Sequence, residues 1–203
     1  MDKNLLNSVF HAYDIRGEVP HELDAKFFEI LGKAYVSFLK AKKIVVGNDI
    51  RPESVEFKNA FIKGAISQGV HVVDVGEVAT EMIYFATGSN EEYDGGAVVT
   101  ASHNPAGWNG CKMVAKGALP LSGDYGLNEI KELMAENKFE DKEPGTLSTL
   151  DIYPDFKKKI LSVLDGVEIK KLKVVVDAGN GIGGKMYDYI FGEMPFEVTK
   201  MYF

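Results

Sequence analysis

Cysteine is nearly absent from this chain of 203 residues: there is one, Cys111. A lone thiol rules out an intrachain disulfide and cannot anchor a cysteine-based metal cluster. Cys111 is expected to pack as a small apolar residue, although its neighbour Lys112 makes it a candidate for thiol reagents. Nor is there an apolar run approaching the roughly 18 residues that a membrane-spanning helix requires. The polar start Met1-Asp2-Lys3-Asn4 has no secretory pattern, so a cytoplasmic location is expected. Cations are the scarcer charge, 23 Lys and Arg against 30 Asp and Glu, for a formal net charge of −7. That balance argues against nucleic acid as a partner, because its phosphate backbone calls for a basic surface. An anionic ligand would have to be drawn in by a few local cations. Internal repeats and low-complexity segments are lacking as well.

What remains is a chain with 45% hydrophobic residues, enough to bury one core and part of another. Leu23, Phe27, Phe28, Leu31, Ala34, Tyr35 and Phe38 recur at helical spacing and pass to the strand-like run Lys43 to Gly47. A second amphipathic stretch with Phe57, Phe61 and Ala65 feeds the near-continuous apolar run Val70 to Val75. A short helix is expected around Met82 to Thr87. A buried strand at Ala97 to Thr100, a loop, a return strand at Cys111 to Ala115 and a helix carrying Leu127, Ile130, Leu133 and Met134 follow. This alternation predicts an α/β fold, a mixed and largely parallel sheet with helices on both faces. Residues 1–140 then form a first domain. A charged, Pro- and Gly-containing stretch, Lys138 to Leu150, reads as a linker or surface excursion, and the linker is placed at residues 141–153. Residues 154–203 give one helix and one strand-helix-strand unit, and about 50 residues are too few to cover both faces of a parallel sheet. They read as the start of a second, similar α/β domain.

Two clusters invite chemistry. Gly179-Asn180-Gly181-Ile182-Gly183-Gly184 satisfies G-x-G-x-x-G between a strand and a helix, with Glu197 at about the spacing of a ribose-binding acid. As a Walker loop the same run fails, because Met186 stands where a Ser or Thr would hold magnesium. The stronger cluster is Thr100-Ala101-Ser102-His103-Asn104-Pro105, which sets a serine and an imidazole at the end of a buried strand, where α/β proteins keep their sites. Gly107, Asn109 and Gly110 supply turn residues that fold the loop back. A serine hydrolase with Ser102 as nucleophile and His103 as base fits poorly, since no G-x-S-x-G elbow is present and adjacent residues rarely meet as a catalytic pair.

The loop hexapeptide, with Asn109-Gly110 and Lys112 behind it, resembles the phosphoserine loop of the α-D-phosphohexomutases. Ala12-Tyr13-Asp14-Ile15-Arg16-Gly17, Val46-Gly47-Asn48-Asp49-Ile50-Arg51 and Val175-Val176-Asp177-Ala178-Gly179-Asn180-Gly181 occur in the order that family uses. Thr80 to Thr87 and Gly117 to Asp124 are similar to its bacterial phosphomannomutase branch. The resemblance implies an isomerase that interconverts hexose 6-phosphate and hexose 1-phosphate, with mannose first, and accounts for the second glycine cluster as a turn. Ser102 would carry the phosphoryl group, with hexose 1,6-bisphosphate as activator and intermediate and no ATP consumed. Magnesium would meet the phosphate on Ser102, because a phosphoserine brings close to two negative charges. His103 would move a proton, an imidazole being suited to that near neutrality.

Arg16 and Lys112 would face the transferring group, Arg16 as a bidentate clamp and Lys112 as a point charge or proton mover. Asn104 and Asn109 suit loop shaping, with Asn109 also a candidate phosphate contact. Asp49 and Arg51 would form a salt-bridged support, Asn48 replaces an arginine frequent in the family, and Asp14 suits a structural partner better than a base. The family's Asp-Gly-Asp-x-Asp-Arg magnesium loop and its Gly-Glu-Met-Ser-Gly-His sugar loop are not in these residues. The chain therefore reads as an N-terminal portion not expected to act alone, whose partners are a hexose phosphate, missing C-terminal domains or a second copy of itself. The alternative is a non-catalytic binding or assembly module that keeps the fold.

Overall fold

The computed structural model describes residues 1–140 and 142–203, and the chain divides into two units, Met1–Leu150 and Asp151–Phe203. In the first unit the chain runs through α1 (Lys3–Val9), β1 (Ile15–Glu18), α2 (Ala25–Leu39), β2 (Lys43–Asn48), α3 (Ser54–Ile66) and β3 (His71–Glu77). It continues through α4 (Thr80–Ser89), β4 (Gly95–Val99), β5 (Trp108–Ala115), β6 (Leu119–Pro120), α5 (Leu127–Glu136) and β7 (Leu147–Thr149). The strands lie in the order β1-β5-β4-β2-β3-β7, with β6 paired to β5. β4, β2, β3 and β7 are mutually parallel, while β5 runs antiparallel to both β4 and β1. The expected mixed, largely parallel sheet is what forms.

Helices cover both faces because buried strands are apolar on both sides. Ile44, Val46, Val72, Ala97, Val99, Cys111 and Met113 pack into one core with α1, α2, α3 and α5. The alternate positions Val45, Val73, Val98 and Val114 are equally buried, as are Met82, Ile83 and Ala86 of α4. Gly95 and Gly96 show the two-sidedness directly. A Cβ on Gly95 would run into Tyr35 and Leu39 of α2, and one on Gly96 into Ile83 and Thr87 of α4. Successive residues of a strand face opposite sides, so each glycine lets a different helix close on β4. That strand leads straight into the Ser102 loop.

The stretch read as a linker is corrected in part. Leu147–Thr149 pair in parallel with Val72–Asp74 and close the edge of the sheet. His71 helps to pin them, its Nδ1 at 2.6 Å from Thr146 Oγ1 and its Nε2 at 3.1 Å from Ser148 Oγ. Periodicity cannot reveal such a strand, because all three of its side chains are exposed and it is held through its backbone. Asp141, the first residue of that stretch, lies outside the described residues. α1 and β1 were also invisible to the sequence reading, being short and next to a turn.

The second unit contains α6 (Tyr153–Leu161), β8 (Lys173–Asp177), α7 (Gly183–Phe191) and β9 (Glu197–Met201), with β8 and β9 parallel. Val163, Val167, Leu172 and Val175 are exposed. The glycine cluster forms the turn from β8 into α7: Asp177 Oδ1 accepts from Gly179 N at 2.9 Å, and Gly179 and Asn180 adopt φ of 56° and 53°. The register disposes of the dinucleotide reading. Glu197 pairs with Lys173 at the start of β8, whereas Met201 stands beside Asp177 at the glycine end. The acid is thus at the wrong end of its strand, four residues or about 13 Å from where a ribose would lie.

Candidate active site

β4 ends at Val99, and β5 begins at Trp108. Between them Ser102 takes a left-handed backbone, φ 55°, and is exposed. For a residue with a Cβ this conformation costs on the order of 1 kcal/mol or more, so the surroundings must impose it. They do so by hydrogen bonds. Ser102 N donates to Thr100 Oγ1 at 2.9 Å, Asn104 N donates to the Ala101 carbonyl at 3.1 Å, and Thr100 N donates to the Gly110 carbonyl at 2.9 Å. The loop tip is fastened just beyond β1 by Val19 N donating to the Gly107 carbonyl at 2.8 Å.

The cations come from neighbouring strands. Arg16 on β1 stands opposite Gly110 of β5, two residues before Lys112. Both converge on one oxygen of Asp14: Oδ2 accepts from Arg16 Nε at 2.9 Å, Arg16 Nη2 at 2.6 Å and Lys112 Nζ at 2.7 Å. Asp14 is only 2% exposed, and its Oδ1 has no hydrogen-bond partner among the described residues. The carboxylate drives the guanidinium pKa of Arg16 still higher, chiefly through its hydrogen bond. Arg16 is also tied to the serine loop, its Nη1 donating to Asn104 Oδ1 at 3.0 Å. The exposed ring of Tyr13 lies under both cations, 5.8 Å from the Arg16 guanidinium and 5.1 Å from Lys112 Nζ, within cation–π range. Two cations and one carboxylate leave a net positive charge beside Ser102. Asp14 is thus the structural partner expected of it.

Under the loop, Arg51 and Asp49 form the expected support, with Nε 3.4 Å from Asp49 Oδ2. Asp49 Oδ1 accepts from Ser54 Oγ at 2.6 Å and Arg51 N at 3.0 Å. Ser54 Oγ in turn accepts from Asn109 Nδ2 at 3.0 Å. Sequence reasoning passed over Ser54, an ordinary serine at the start of a helix with no motif around it. Asn109 as a phosphate contact is corrected: it is fully buried, and its amide is spent on Ser54 and on Gly110 N. It shapes the loop and cannot reach a ligand. Cys111 as a target for thiol reagents is corrected too. The side chain is fully buried, and burial above all, aided by Asp14 and opposed by Lys112, pushes its thiol pKa well above the usual range. Adjacency to a lysine in sequence did not translate into an electropositive, open thiol.

Ser102 Oγ and His103 Nδ1 lie 3.4 Å apart, close enough for proton exchange after a small adjustment. Among the described residues nothing orients the imidazole from its other side, which a hydrolase triad would need. The magnesium expectation meets a poor ligand set. No three His, Cys, Asp or Glu side chains converge among the described residues. Asp14, the carboxylate of this cluster, is engaged by two cations that would repel a divalent ion. These residues do not make a magnesium site, and no step is derived through one.

Residues 7–141 match the family described as phosphoglucomutase/phosphomannomutase, alpha/beta/alpha domain I. A phosphomannomutase of Vibrio cholerae is 39% identical over 204 residues, covering 95% of this chain and 44% of its own length. A phosphomannomutase of Klebsiella pneumoniae is 45% identical over 150 residues, 72% of this chain and 95% of that sequence. Among solved structures, a phosphoglucomutase/phosphomannomutase family protein from Burkholderia thailandensis superposes with a TM-score of 0.87 at 32% identity, over 96% of this chain and 44% of its own. The chain thus spans a little under half the length of several curated relatives it matches.

Proposed function

The chain belongs to the phosphoglucomutase/phosphomannomutase family, and from that premise we propose that Ser102 is the phosphoryl carrier of a phosphohexomutase acting on hexose phosphates, mannose foremost. In the resting protein Ser102 bears a phosphoryl group. The free hydroxyl of a hexose monophosphate attacks that phosphorus and the bond to Ser102 Oγ breaks, leaving hexose 1,6-bisphosphate and a free serine. After the sugar turns round, Ser102 Oγ takes the phosphoryl group from the other position, and the isomeric monophosphate leaves. Phosphoryl transfer needs mainly positioning and charge neutralisation. Arg16 and Lys112 supply the positive charge. Three of the five Arg16 N–H donors are spent on Asp14 and Asn104, which leaves two to point at phosphate oxygens. Hydrogen-bond reach between Ser102 Oγ and His103 Nδ1 supports a proton-moving role for the imidazole.

The observation that carries this reading is the gathering of Arg16 and Lys112 on Asp14, with Arg16 tied to the serine's own loop through Asn104. A second reading, a binding module without catalysis, draws on the lack of a carboxylate cluster among the described residues. The two separate cleanly. Purified chain, first freed of phosphate with a phosphatase that is then removed, is incubated with labelled α-D-mannose 1,6-bisphosphate and the Ser102 peptide is weighed. A carrier gains one phosphoryl group that Ser102→Ala cannot take; a module binds and gains none. Residues 1–203 alone, with no cluster of metal-ligating side chains among the described residues, are not expected to sustain conversion of mannose 1-phosphate to 6-phosphate. Sustained turnover would refute the ligand argument.

A further inference from the structure

Arg51 spends all four Nη N–H groups of its guanidinium on the protein. Nη1 donates to the carbonyls of Pro105 and Trp108, both at 2.9 Å, and Nη2 to those of Ser102 at 3.1 Å and Asn104 at 2.6 Å. Nε faces Asp49. Of the five donors of the fixed fork, four are hydrogen-bonded to the loop and the fifth is turned to the Asp49 carboxylate, so none points to a ligand. Four carbonyls of one seven-residue span, from Ser102 to Trp108, are drawn onto a single planar cation whose charge is balanced from behind by Asp49. An arginine beside a phosphate-handling serine would ordinarily be read as a phosphate clamp; here that role is excluded by the count of donors.

We propose that Arg51 is the positioning residue of the serine loop, holding Ser102 in its left-handed conformation and turning the loop's carbonyls inward. The carrier role of Ser102 rests on the reading above, but the hold on the loop does not. Trans peptides set C=O and N–H on opposite sides. With the Ser102 and Pro105 carbonyls bound to Arg51, the N–H groups of His103 and Ala106 face away from it. Neither N–H has a protein acceptor among the described residues, so the outer side of the loop offers donors rather than lone pairs to an incoming anion. Without the guanidinium, four carbonyls would lose their partner and only the local bonds of Ser102 N and Asn104 N would be left to offset the cost of the Ser102 conformation. Lysine cannot replace it, because one ammonium with three donors cannot reach four spread carbonyls.

The test compares the whole chain with Arg51→Lys, which keeps the charge beside Asp49, and Arg51→Ala, with Lys112→Ala as a variant that leaves the loop carbonyls untouched. Amide exchange at Ser102, Asn104 and Val19 should quicken at least about tenfold in both Arg51 variants, while Thr100 and Asp49, bonded to β5 and β4, hold. Lys112→Ala should leave the first three amides slow. Labelling of Ser102 by the bisphosphate should slow at least about tenfold at saturation in Arg51→Lys, with the half-saturating concentration unchanged, because no donor of Arg51 reaches the ligand. Loop exchange at the wild-type rate in Arg51→Lys, or a raised half-saturation with a normal plateau, would overturn the proposal. Failure of the wild-type chain to take label would instead count against the carrier role, with exchange still deciding the loop.

Discussion

Replacing Asp14 by Asn changes almost no volume but removes the one charge that holds Arg16 and Lys112 together. Oδ2 accepts three charge-assisted hydrogen bonds, at 2.6, 2.7 and 2.9 Å, from side chains only 14% and 18% exposed. Such bonds contribute about 1.5–3 kcal/mol each when well buried, and removing one member of a buried pair costs about 3–5 kcal/mol in all. The cations keep some contact with water and the amide oxygen can still accept one bond, so a loss of about 2–3 kcal/mol is expected. For a chain of this length that is a fall in Tm of roughly 4–12 °C. Urea unfolding followed by circular dichroism gives the free energy, and a double-mutant cycle gives its origin. Lys112→Met should be milder in the Asp14→Asn background than in wild type, with a coupling of at least about 1 kcal/mol, because the cation it removes has already lost its partner. A loss below about 0.5 kcal/mol, or additive effects, would refute the view of Asp14 as the anchor of the site.

Ser102→Gly should leave stability unchanged or raise it by up to about 1 kcal/mol, since glycine adopts a positive φ without strain, yet abolish phosphoryl uptake; a destabilised Gly variant would contradict the strain argument. In a turnover-competent protein carrying this unit, Ser102→Ala should lower kcat more than about a hundredfold, some 2.7 kcal/mol of barrier, and Lys112→Ala should lower kcat/KM by about ten- to a thousandfold. Cys111, with its thiol pKa raised by burial, keeps its proton when folded while the unfolded chain loses it above about pH 8.5. Folding stability should therefore fall with rising pH by up to about 1.4 kcal/mol per unit from there until tyrosines join near pH 10. Cys111→Ala should flatten that limb, and a thiol reagent should react with the native chain only through unfolding.

The parallel strands and the long helices were legible because their signal is burial. Lys43–Asn48, His71–Glu77 and Gly95–Val99 are apolar runs with both faces covered, and α2 carries its apolar residues at a strict helical spacing. β1 and β7 carried no such signal. β1 is a four-residue strand in which Arg16 and Gly17 interrupt the apolar pattern, and β7 buries no side chain at all. Both are held in the sheet by backbone pairing to a neighbouring strand, helped in β1 by the buried Ile15, and such tertiary pairing is not encoded in local periodicity.

For the site, the sequence yielded residue types but not their bonds. Ser102, Arg16, Lys112, Asp49 and Arg51 stand in separate segments, and the sheet brings them together because β4 and β2 are parallel neighbours that end on the same side, while β5 returns from that end to lie beside β1. What a side chain does there depends on how its donors are divided. Arg16 and Arg51 look alike in sequence, each preceded by Asp-Ile, yet Arg16 keeps two donors for a ligand whereas Arg51 gives four to loop carbonyls and turns the fifth to Asp49. The same distinction removes Asn109 from the ligand list: an amide is equally able to hold a phosphate or a serine hydroxyl, and complete burial decides for the serine. Cys111 and Lys112 are adjacent yet differently placed, because neighbours on a strand face opposite sides of the sheet, one into the core and the other toward Asp14 and Tyr13. A motif thus selects which residues to examine, and the count of engaged donors and the side of the sheet determine which of them can meet a substrate.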